Sequence, residues 1–596
     1  MGCRSGVGMA LALLASAGCG GGGGGSSPKP AVPAGLVATV VGTDIHLAWT
    51  ASPTATSYNV FYGLDPGVAR STTTKLGNVV GAGAVVTGQA STHAYFAVTA
   101  KNGNGESLLS NEVVADVPAA GLDPLFAQQW HLVNTGQAGG TAGEDADVNP
   151  AWIGGFDGTG VRIAVVDDGL EIGHEDLFWN CPPGKSFNYS NQTTDPTGGE
   201  HGTSVAGVAA GVGGNSLGGR GVAYEAQLVG YNFLQHQTTS SEANSMTRDM
   251  ANNWISNNSW GPPDIAVPIP SSSSWRQAVA AGLANGRHGL GIVYLKAAGN
   301  GGTPGIDPGD NSNLDGYANY YGVLAIGAVG DDGNKANYSE NGANVFVCAP
   351  SMGRANHAIT TVDRSGAAGY NDGTHVGDYP NANYTNTFNG TSSATPLAAG
   401  VVALVLQANP NLTWRDVRLV LAQSARLNDP LDPDWTTNGA GYSINHKYGF
   451  GVVDANAAVT LAQGWTNVGP MLTVATPVAH PNLAIPDNDI TGVSSQIIVA
   501  GSGIQHIEFI EIVFNASNHT FSGDLEVVLT APSGTKSTLA ERHDCPQGPL
   551  PYNNFRFGDV RHLDEPADGT WTLTVRDLAA ADTGTFKSWS LVFRGR

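Results

Sequence analysis

Three side chains of complementary chemistry stand far apart in the 596-residue chain, in the order acid, imidazole, alcohol. Asp167 lies in Val165-Val166-Asp167-Asp168-Gly169, at the end of an apolar run, and His201 lies in Glu200-His201-Gly202-Thr203-Ser204-Val205-Ala206-Gly207. Ser392 lies in Phe388-Asn389-Gly390-Thr391-Ser392-Ser393-Ala394-Thr395-Pro396. A neutral hydroxyl is a poor nucleophile. An imidazole that takes its proton, held in the right tautomer by a carboxylate, makes it reactive. Each segment alone has a plainer explanation, since Asp-Gly turns end strands, a histidine can cap a helix, and Ser and Thr are preferred N-caps. Three such coincidences in this chain order are much harder to arrange, so the set points to nucleophilic hydrolysis.

These groups need elements that bring them together. Val161-Arg162-Ile163-Ala164-Val165-Val166 reads as a buried strand that would leave Asp167 at the carboxyl edge of a sheet, where such folds place ligands. The small residues after His201 predict a helix that can approach that sheet closely. The segment after Ser392 runs into an apolar helix over residues 401–406, whose start would offer a backbone N–H and a positive dipole end. Aliphatic runs such as Gly291-Ile292-Val293-Tyr294-Leu295 alternate with small-residue helices over residues 122–465, which predicts a mostly parallel sheet covered on both faces.

The order Asp, His, Ser is that of subtilisin, and Asp167, His201 and Ser392 stand in motifs that resemble those of subtilisin-like serine proteases. Tyr294-Leu295-Lys296-Ala297-Ala298-Gly299-Asn300-Gly301-Gly302 adds, by the same resemblance, the oxyanion asparagine Asn300. The likeness narrows to the kexin and furin branch through Asp123-Pro124-Leu125-Phe126-Ala127-Gln128-Gln129-Trp130, Asn258-Ser259-Trp260-Gly261-Pro262, Leu314-Asp315-Gly316-Tyr317 and Asn411-Leu412-Thr413-Trp414-Arg415-Asp416-Val417. Residues 466–596 are similar to that branch's β-rich P domain, in Phe521-Ser522-Gly523-Asp524-Leu525 and Gly569-Thr570-Trp571-Thr572-Leu573-Thr574-Val575-Arg576-Asp577. The resemblance implies a serine endopeptidase that cleaves after Arg or Lys through an acyl-enzyme.

It also implies site residues. Asp264 and Asp315 fall where the branch keeps acids for the basic side chain before the scissile bond, with Ser259, Trp260 and Gly261 in the adjoining wall. Asp168 falls where the next basic residue upstream is recognised, and carboxylates suit guanidinium groups in geometry as well as charge. Gly198 stands where furin-like enzymes carry a further acid, so the upstream demand should be weaker. For Ca2+, Asp123, Asp176 and Asn215 match side-chain ligands of one family site, with the carbonyls of Val212, Leu217 and Gly219. Asp264, Asp310 and Glu340 match a second, with Asp307 as a substitute for Asp310.

The remaining chain sets the context. Length suggests roughly three to five domains. The 27 basic and 49 acidic residues leave a net charge of −22, which argues against nucleic acid as partner. With 13% charged residues the chain is neither a coiled coil nor a disordered polyacid. Residues 33–118 show short alternating segments, Ile45-His46-Leu47-Ala48-Trp49, Tyr58-Asn59-Val60-Phe61-Tyr62 and Tyr95-Phe96-Ala97-Val98-Thr99-Ala100, and resemble a fibronectin type III β-sandwich. They occupy the place where family members carry an inhibitory pro-domain, which leaves the activation route open. Arg4 and the apolar residues 7–17 read as a signal peptide. Leu14-Ala15-Ser16-Ala17-Gly18-Cys19 resembles a lipoprotein cleavage site with Cys19 acylated, ordinary cleavage near Ala17 or Gly18 being the alternative. A Gly/Ser/Pro linker follows over residues 20–32.

Among Cys181, Cys348 and Cys545, one disulfide with one free thiol, or none, is allowed. The expectation is an exported, monomeric multidomain protein: an α/β subtilisin-like domain flanked by an N-terminal β-sandwich and a C-terminal jelly-roll-like module. It would act on protein or peptide substrates, with no nucleic acid and no membrane contact beyond the lipid anchor. The alternatives are a broad-specificity subtilase and a catalytically silent adhesin built on the β modules.

Overall fold

The computed structural model describes residues 28–41, 44–63, 67–70, 74–86, 92–117, 123–302, 309–353, 357–545, 548 and 550–596. The signal segment, Cys19 and most of the linker lie outside the described residues, as does Asp307. The chain divides into two compact units, residues 1–120 and 121–596.

In the first unit, strands Ala34–Val41, Asp44–Thr50 and Gly83–Val86 form one antiparallel sheet. Thr74–Val79, Ser57–Gly63, Thr92–Asn102, Gly105–Glu106 and Val113–Val117 form another. Period-2 alternation sends Leu36, Leu47, Trp49, Tyr58, Val60, Phe96 and Val98 into one shared core. The three strands expected from the sequence form here, each longer than its apolar centre.

The second unit is built on six parallel strands: β1 (Arg162–Val166), β2 (Gln227–Tyr231), β3 (Ile255–Asn258), β4 (Val293–Ala297), β5 (Val323–Val329) and β6 (Val345–Pro350). Their order is β2-β1-β3-β4-β5-β6. Every residue of β3 to β6 is buried, as expected of strands covered on both faces. The order reverses at β1, so the carboxyl end of β1 opens a crevice at a topological switch point.

Two helices bear on that crevice, α1 (His201–Ala210) and α2 (Thr391–Ala408). They pack against each other, and α2 also lies against β3 to β6. Among the described residues α2 is the helix long and apolar enough to cross a membrane. It is instead the buried central helix of the domain, starting three turns before the apolar run that signalled it.

Beyond helix Ala455–Gln463 the chain forms two four-stranded antiparallel sheets. One contains Leu472–Ala475, Ser588–Gly595, Ile507–Asn515 and Phe555–Asp559. The other contains Asp489–Val499, Gly569–Asp577, Leu525–Thr530 and Lys536–Ala540. Both bury side chains in a common core around Phe514, Trp571, Trp589 and Phe593.

This module is tied to the α/β domain by polar contacts. Arg415, in helix Trp414–Ser424, makes a paired contact with Glu508, Nε to Oε2 at 2.7 Å and Nη2 to Oε1 at 2.5 Å, both side chains buried. Asn313 exchanges two hydrogen bonds with the Gly558 backbone, at 3.0 and 2.8 Å. Cys181, Cys348 and Cys545 are all free and buried, so the no-disulfide alternative is the one the fold adopts. Burial drives each thiol's pKa upward, which keeps them protonated and inert at neutral pH.

Removing Arg415 leaves Glu508 with Arg596 alone, whose Nη1 lies 3.1 Å from Oε1 at a more exposed position. Arg415→Ala should therefore destabilise the second unit by about 1.5 to 3 kcal/mol in a denaturant titration, less than for a buried charge left with no partner. Arg415→Met with Glu508→Leu should lie much closer to wild type.

Candidate active site

Asp167 follows β1 directly and is fully buried. Its Oδ1 lies 2.8 Å from His201 Nδ1 and also accepts the Asp168 N–H at 2.8 Å. Its Oδ2 is buried with no hydrogen-bond partner among the described residues. His201 is the first residue of α1. The helix can come this close because Gly202 lacks a side chain: a Cβ there would stand 2.0 Å from the Gly169 carbonyl and 2.9 Å from Asp167 Cβ. Burial disfavours the imidazolium, but the Asp167 carboxylate, through charge and hydrogen bond, and the charge of Asp168 outweigh it and raise the His201 pKa to about 9.

Ser392 is the second residue of α2. The N-cap is Gly390, at φ +80° with no side-chain cap, so Ser392 is not there to cap the helix. Its Oγ donates to the Ser259 carbonyl at 3.3 Å, and no hydrogen bond links it to His201 in this conformation. Ser259 answers by donating its Oγ to the Ser392 carbonyl at 3.0 Å, and its own hydroxyl accepts from Asn257 at 2.9 Å. The Asn300 Oδ1 accepts from the Thr391 N–H at 2.8 Å and the Thr391 hydroxyl at 3.0 Å, which fixes the rotation of the amide beside the start of α2.

Ser392, Asn300, Ser259, Trp260, Gly261, Asp264, Asp310, Asp315 and Glu340 line one polar cleft of about 170 Å³. Asp264 Oδ2 accepts the Asn300 N–H at 3.3 Å, and burial raises its pKa. Asp315 is reached from the far side by Lys296, whose Nζ lies 3.6 Å from Asp315 Oδ2. That lysine is the residue the sequence reading passed over. Its signal was a single charge inside an otherwise apolar strand.

Asp168 behaves differently from a simple subsite acid. Its Oδ1 accepts the Gly202 N–H at 2.9 Å and its Oδ2 the His201 N–H at 3.4 Å, so it caps α1 from outside. Burial, then the neighbouring Asp167, raise its pKa to about 6. No acid fits at Gly198, where a Cβ would stand 2.4 Å from the Asp168 carbonyl. The Gly198 carbonyl accepts from Arg364, which also pairs with Glu171 at 3.0 Å.

The first expected Ca2+ set converges. Asp123 Oδ2 accepts from Gly214 N–H at 3.0 Å and Arg220 Nε at 2.7 Å. Asp123 Oδ1 and Asp176 Oδ2 are buried without hydrogen-bond partners among the described residues. Burial and then the Asp123 charge raise the Asp176 pKa, the signature of two carboxylates short of a cation. Val212, Leu217 and Gly219 belong to the loop that passes this pair, with the Val212 N–H on the Asp176 carbonyl at 2.9 Å. Asn215 departs from expectation. Its Nδ2 faces Asp176 Oδ1 at 2.6 Å, while its Oδ1 accepts the Leu217 N–H at 2.8 Å. An amide beside a lone carboxylate turns its donor toward it.

The second set meets around Gly301, where a Cβ would lie 2.5 Å from Asp310 Cβ, 3.0 Å from Glu340 Oε1 and 3.1 Å from Asp264 Cβ. Burial and mutual repulsion raise Glu340 well above its usual value and Asp310 to about 6. Asp310 Oδ2 accepts the N–H of Ala266, a non-glycine residue at φ +53°. The C-terminal module holds the other peptide group of that same residue, through His543 Nε2 at 2.9 Å and Cys545 Sγ at 3.3 Å from the Ala266 carbonyl. Both sets offer crowded hard oxygens of the kind calcium takes, so the residues fit the ion.

A buried Asp–His pair at the switch point of a parallel sheet, with a serine opening the neighbouring helix, defines a hydrolase of the serine-nucleophile class. Residues 158–451 match the subtilase family, and residues 510–593 the proprotein convertase P-domain. The chain is 32% identical to furin of Rattus norvegicus over 492 residues, covering 80% of this chain and 59% of furin. It is 34% identical to neuroendocrine convertase 2 of Drosophila melanogaster over 498 residues, 79% of this chain and 72% of that one. The solved serine protease of Aeromonas sobria superposes with a TM-score of 0.73 at 29% identity, over 80% of this chain and 96% of that one. The chain belongs to the subtilisin-like serine protease family, with a P domain and furin-type relatives.

Asp167→Asn, made on Ser392→Ala to prevent self-cleavage, removes the carboxylate that supports the imidazolium. The His201 pKa, about 9 in the intact pair, should then fall by about 1 to 3 pH units in an NMR titration.

Proposed function

We propose that this protein is an exported, calcium-dependent serine endopeptidase that hydrolyses peptide bonds after Arg or Lys. The observation that carries the reading is the 2.8 Å Asp167–His201 contact beside a cleft that holds both Ser392 and several acids. In this reading Ser392 Oγ turns from the Ser259 carbonyl toward His201 Nε2 and attacks the substrate carbonyl carbon. Its proton passes to His201, and the carbonyl π pair moves onto oxygen. The Asn300 amide and the Ser392 N–H donate to that oxyanion. Collapse breaks the C–N bond, and the leaving amine takes the proton from His201. Water then repeats the sequence on the acyl-enzyme and releases the acid.

Asp264 and Asp315, beside Ser259, Trp260 and Gly261, receive the basic side chain, while Asp168 serves the residue upstream as well as capping α1. Asp123 and Asp176, with Asn215 and the carbonyls of Val212, Leu217 and Gly219, hold one calcium ion. Asp264, Asp310 and Glu340 hold another. Bound calcium would neutralise the crowded carboxylates and brace the loops that carry them. Residues 33–118 serve as a fibronectin-type spacer, 122–465 as the catalytic domain and 466–596 as the P domain, in a monomeric chain. Export rests on the leader, with either an acylated Cys19 or ordinary cleavage near Ala17 or Gly18, which the mass of the mature N-terminus distinguishes.

An arginyl-peptide assay with calcium tests the reading. Wild type should turn over, label at Ser392 with an organophosphorus reagent, and lose activity on Ser392→Ala. Equal inactivity of both would favour an adhesive role. Because His201 must be neutral to accept the proton, kcat/KM should rise with pH through the His201 pKa, about 9 in the free protein. Asn300→Ala should stay folded and lower kcat by about 10²- to 10³-fold. Chelation should lower the melting temperature, and Asp176→Asn should blunt the recovery on adding calcium.

A further inference from the structure

Lys296 has no part in the steps above, yet it sits against the cleft. It lies in β4 among Val293, Tyr294, Leu295 and Ala297 and is 1% exposed. Its Nζ is 3.6 Å from Asp315 Oδ2 and 4.6 Å from the centroid of the Trp260 ring, and it makes no hydrogen bond to any described residue. A Cβ on Gly261 would stand 3.5 Å from both Nζ and Asp315 Oδ2, so the ion pair lies directly against a cleft-lining glycine, with Asp315 itself in the lining. A buried ammonium with so few partners is costly, and a plain apolar residue would fill the strand without that cost.

We infer that Lys296 is a built-in counter-ion of the primary specificity pocket: by neutralising Asp315 it sets how strongly a basic side chain is preferred over an uncharged one of the same shape. The inference rests on the proposed assignment of this cleft to the residue before the scissile bond. A guanidinium entering the cleft meets a carboxylate that already has a partner. Its attraction to Asp315 is offset by repulsion from an ammonium lying close to that carboxylate, and in a water-poor pocket neither is well screened. Net selection for charge then falls on Asp264, which also faces Nζ together with Glu340. Lys296 acts through Asp315 and does not itself touch substrate.

The test uses the full chain as wild type, Lys296→Met, Asp315→Asn and the double variant. Two fluorogenic peptides differ only in arginine or citrulline before the scissile bond, the second having nearly the shape of the first without its charge. The readout is the ratio of kcat/KM for the two. It should rise about tenfold or more in Lys296→Met, fall comparably in Asp315→Asn, and return to within about threefold of wild type in the double variant, which removes the pair as a neutral unit. Lys296→Arg should keep the wild-type ratio.

A merely structural lysine would depress both substrates together and leave the ratio flat. A flat ratio across the series, with wild type preferring arginine, overturns the inference and leaves the proposed function standing. A ratio near one in all four proteins overturns both. If Lys296→Met does not fold, Asp315→Asn and the double variant decide: a ratio that stays at the wild-type value in Asp315→Asn overturns the inference, and a fall that the double variant reverses supports it.

Discussion

The structure depends on how closely a helix can approach the end of β1. A carboxylate removed from water holds an imidazolium only if the imidazole meets it at hydrogen-bond distance, and that requires the first turn of α1 to sit almost on the strand. Gly202 permits this, and the run of small buried residues through Ala210 continues the contact along the helix. Asp168 then satisfies the N–H groups that the crowded helix start would leave bare. The strand end, the helix start and the two consecutive acids therefore form one electrostatic unit, and the basicity of His201 is a property of that unit.

The same domain carries an excess of buried carboxylates, and its local architecture is largely a set of answers to that excess. Asp123 is answered by Arg220, whose guanidinium also lies over the Phe126 ring at 4.8 Å. Asp315 is answered by Lys296. Asp176 and the Asp264, Asp310 and Glu340 group have no basic side chain at ion-pair distance among the described residues, and burial and mutual repulsion raise their proton affinities. Uncompensated carboxylates in a protein interior either take up protons or take up a cation. The cleft and these acids share residues, so charge balance at the cation sites and charge recognition in the pocket are coupled.

The C-terminal β module takes part in this arrangement. Its His543 and Cys545 hold the Ala266 carbonyl, on the same residue whose N–H holds Asp310. Ala266 keeps a backbone conformation unusual for a side-chain-bearing residue, at φ +53°, with both of its peptide groups engaged. One wall of the cleft is thus set partly by a module that contributes no reactive group. The buried Arg415–Glu508 pair and the Asn313–Gly558 exchange hold the two surfaces in register.

Local pattern was enough to read the parallel sheet, the small-residue helix, the central apolar helix and the β modules on either side, because burial on one or both faces leaves a period in the sequence. Residue type and the chain order acid, imidazole, alcohol singled out Asp167, His201 and Ser392 as a set, since each alone has a plainer structural explanation, and Asn300 came from the family resemblance. Contacts made across the fold left no such trace. That Ser392 rests on the Ser259 carbonyl, that Asp168 caps α1, that Asn215 turns its nitrogen to Asp176 and that Lys296 stands behind Asp315 all follow from which atoms come within a few ångströms across long stretches of chain. Sequence order carries periodicity and residue type, and these decide which elements form. Charge pairing and hydrogen-bond partners depend on distance in space, which only the packed tertiary structure supplies.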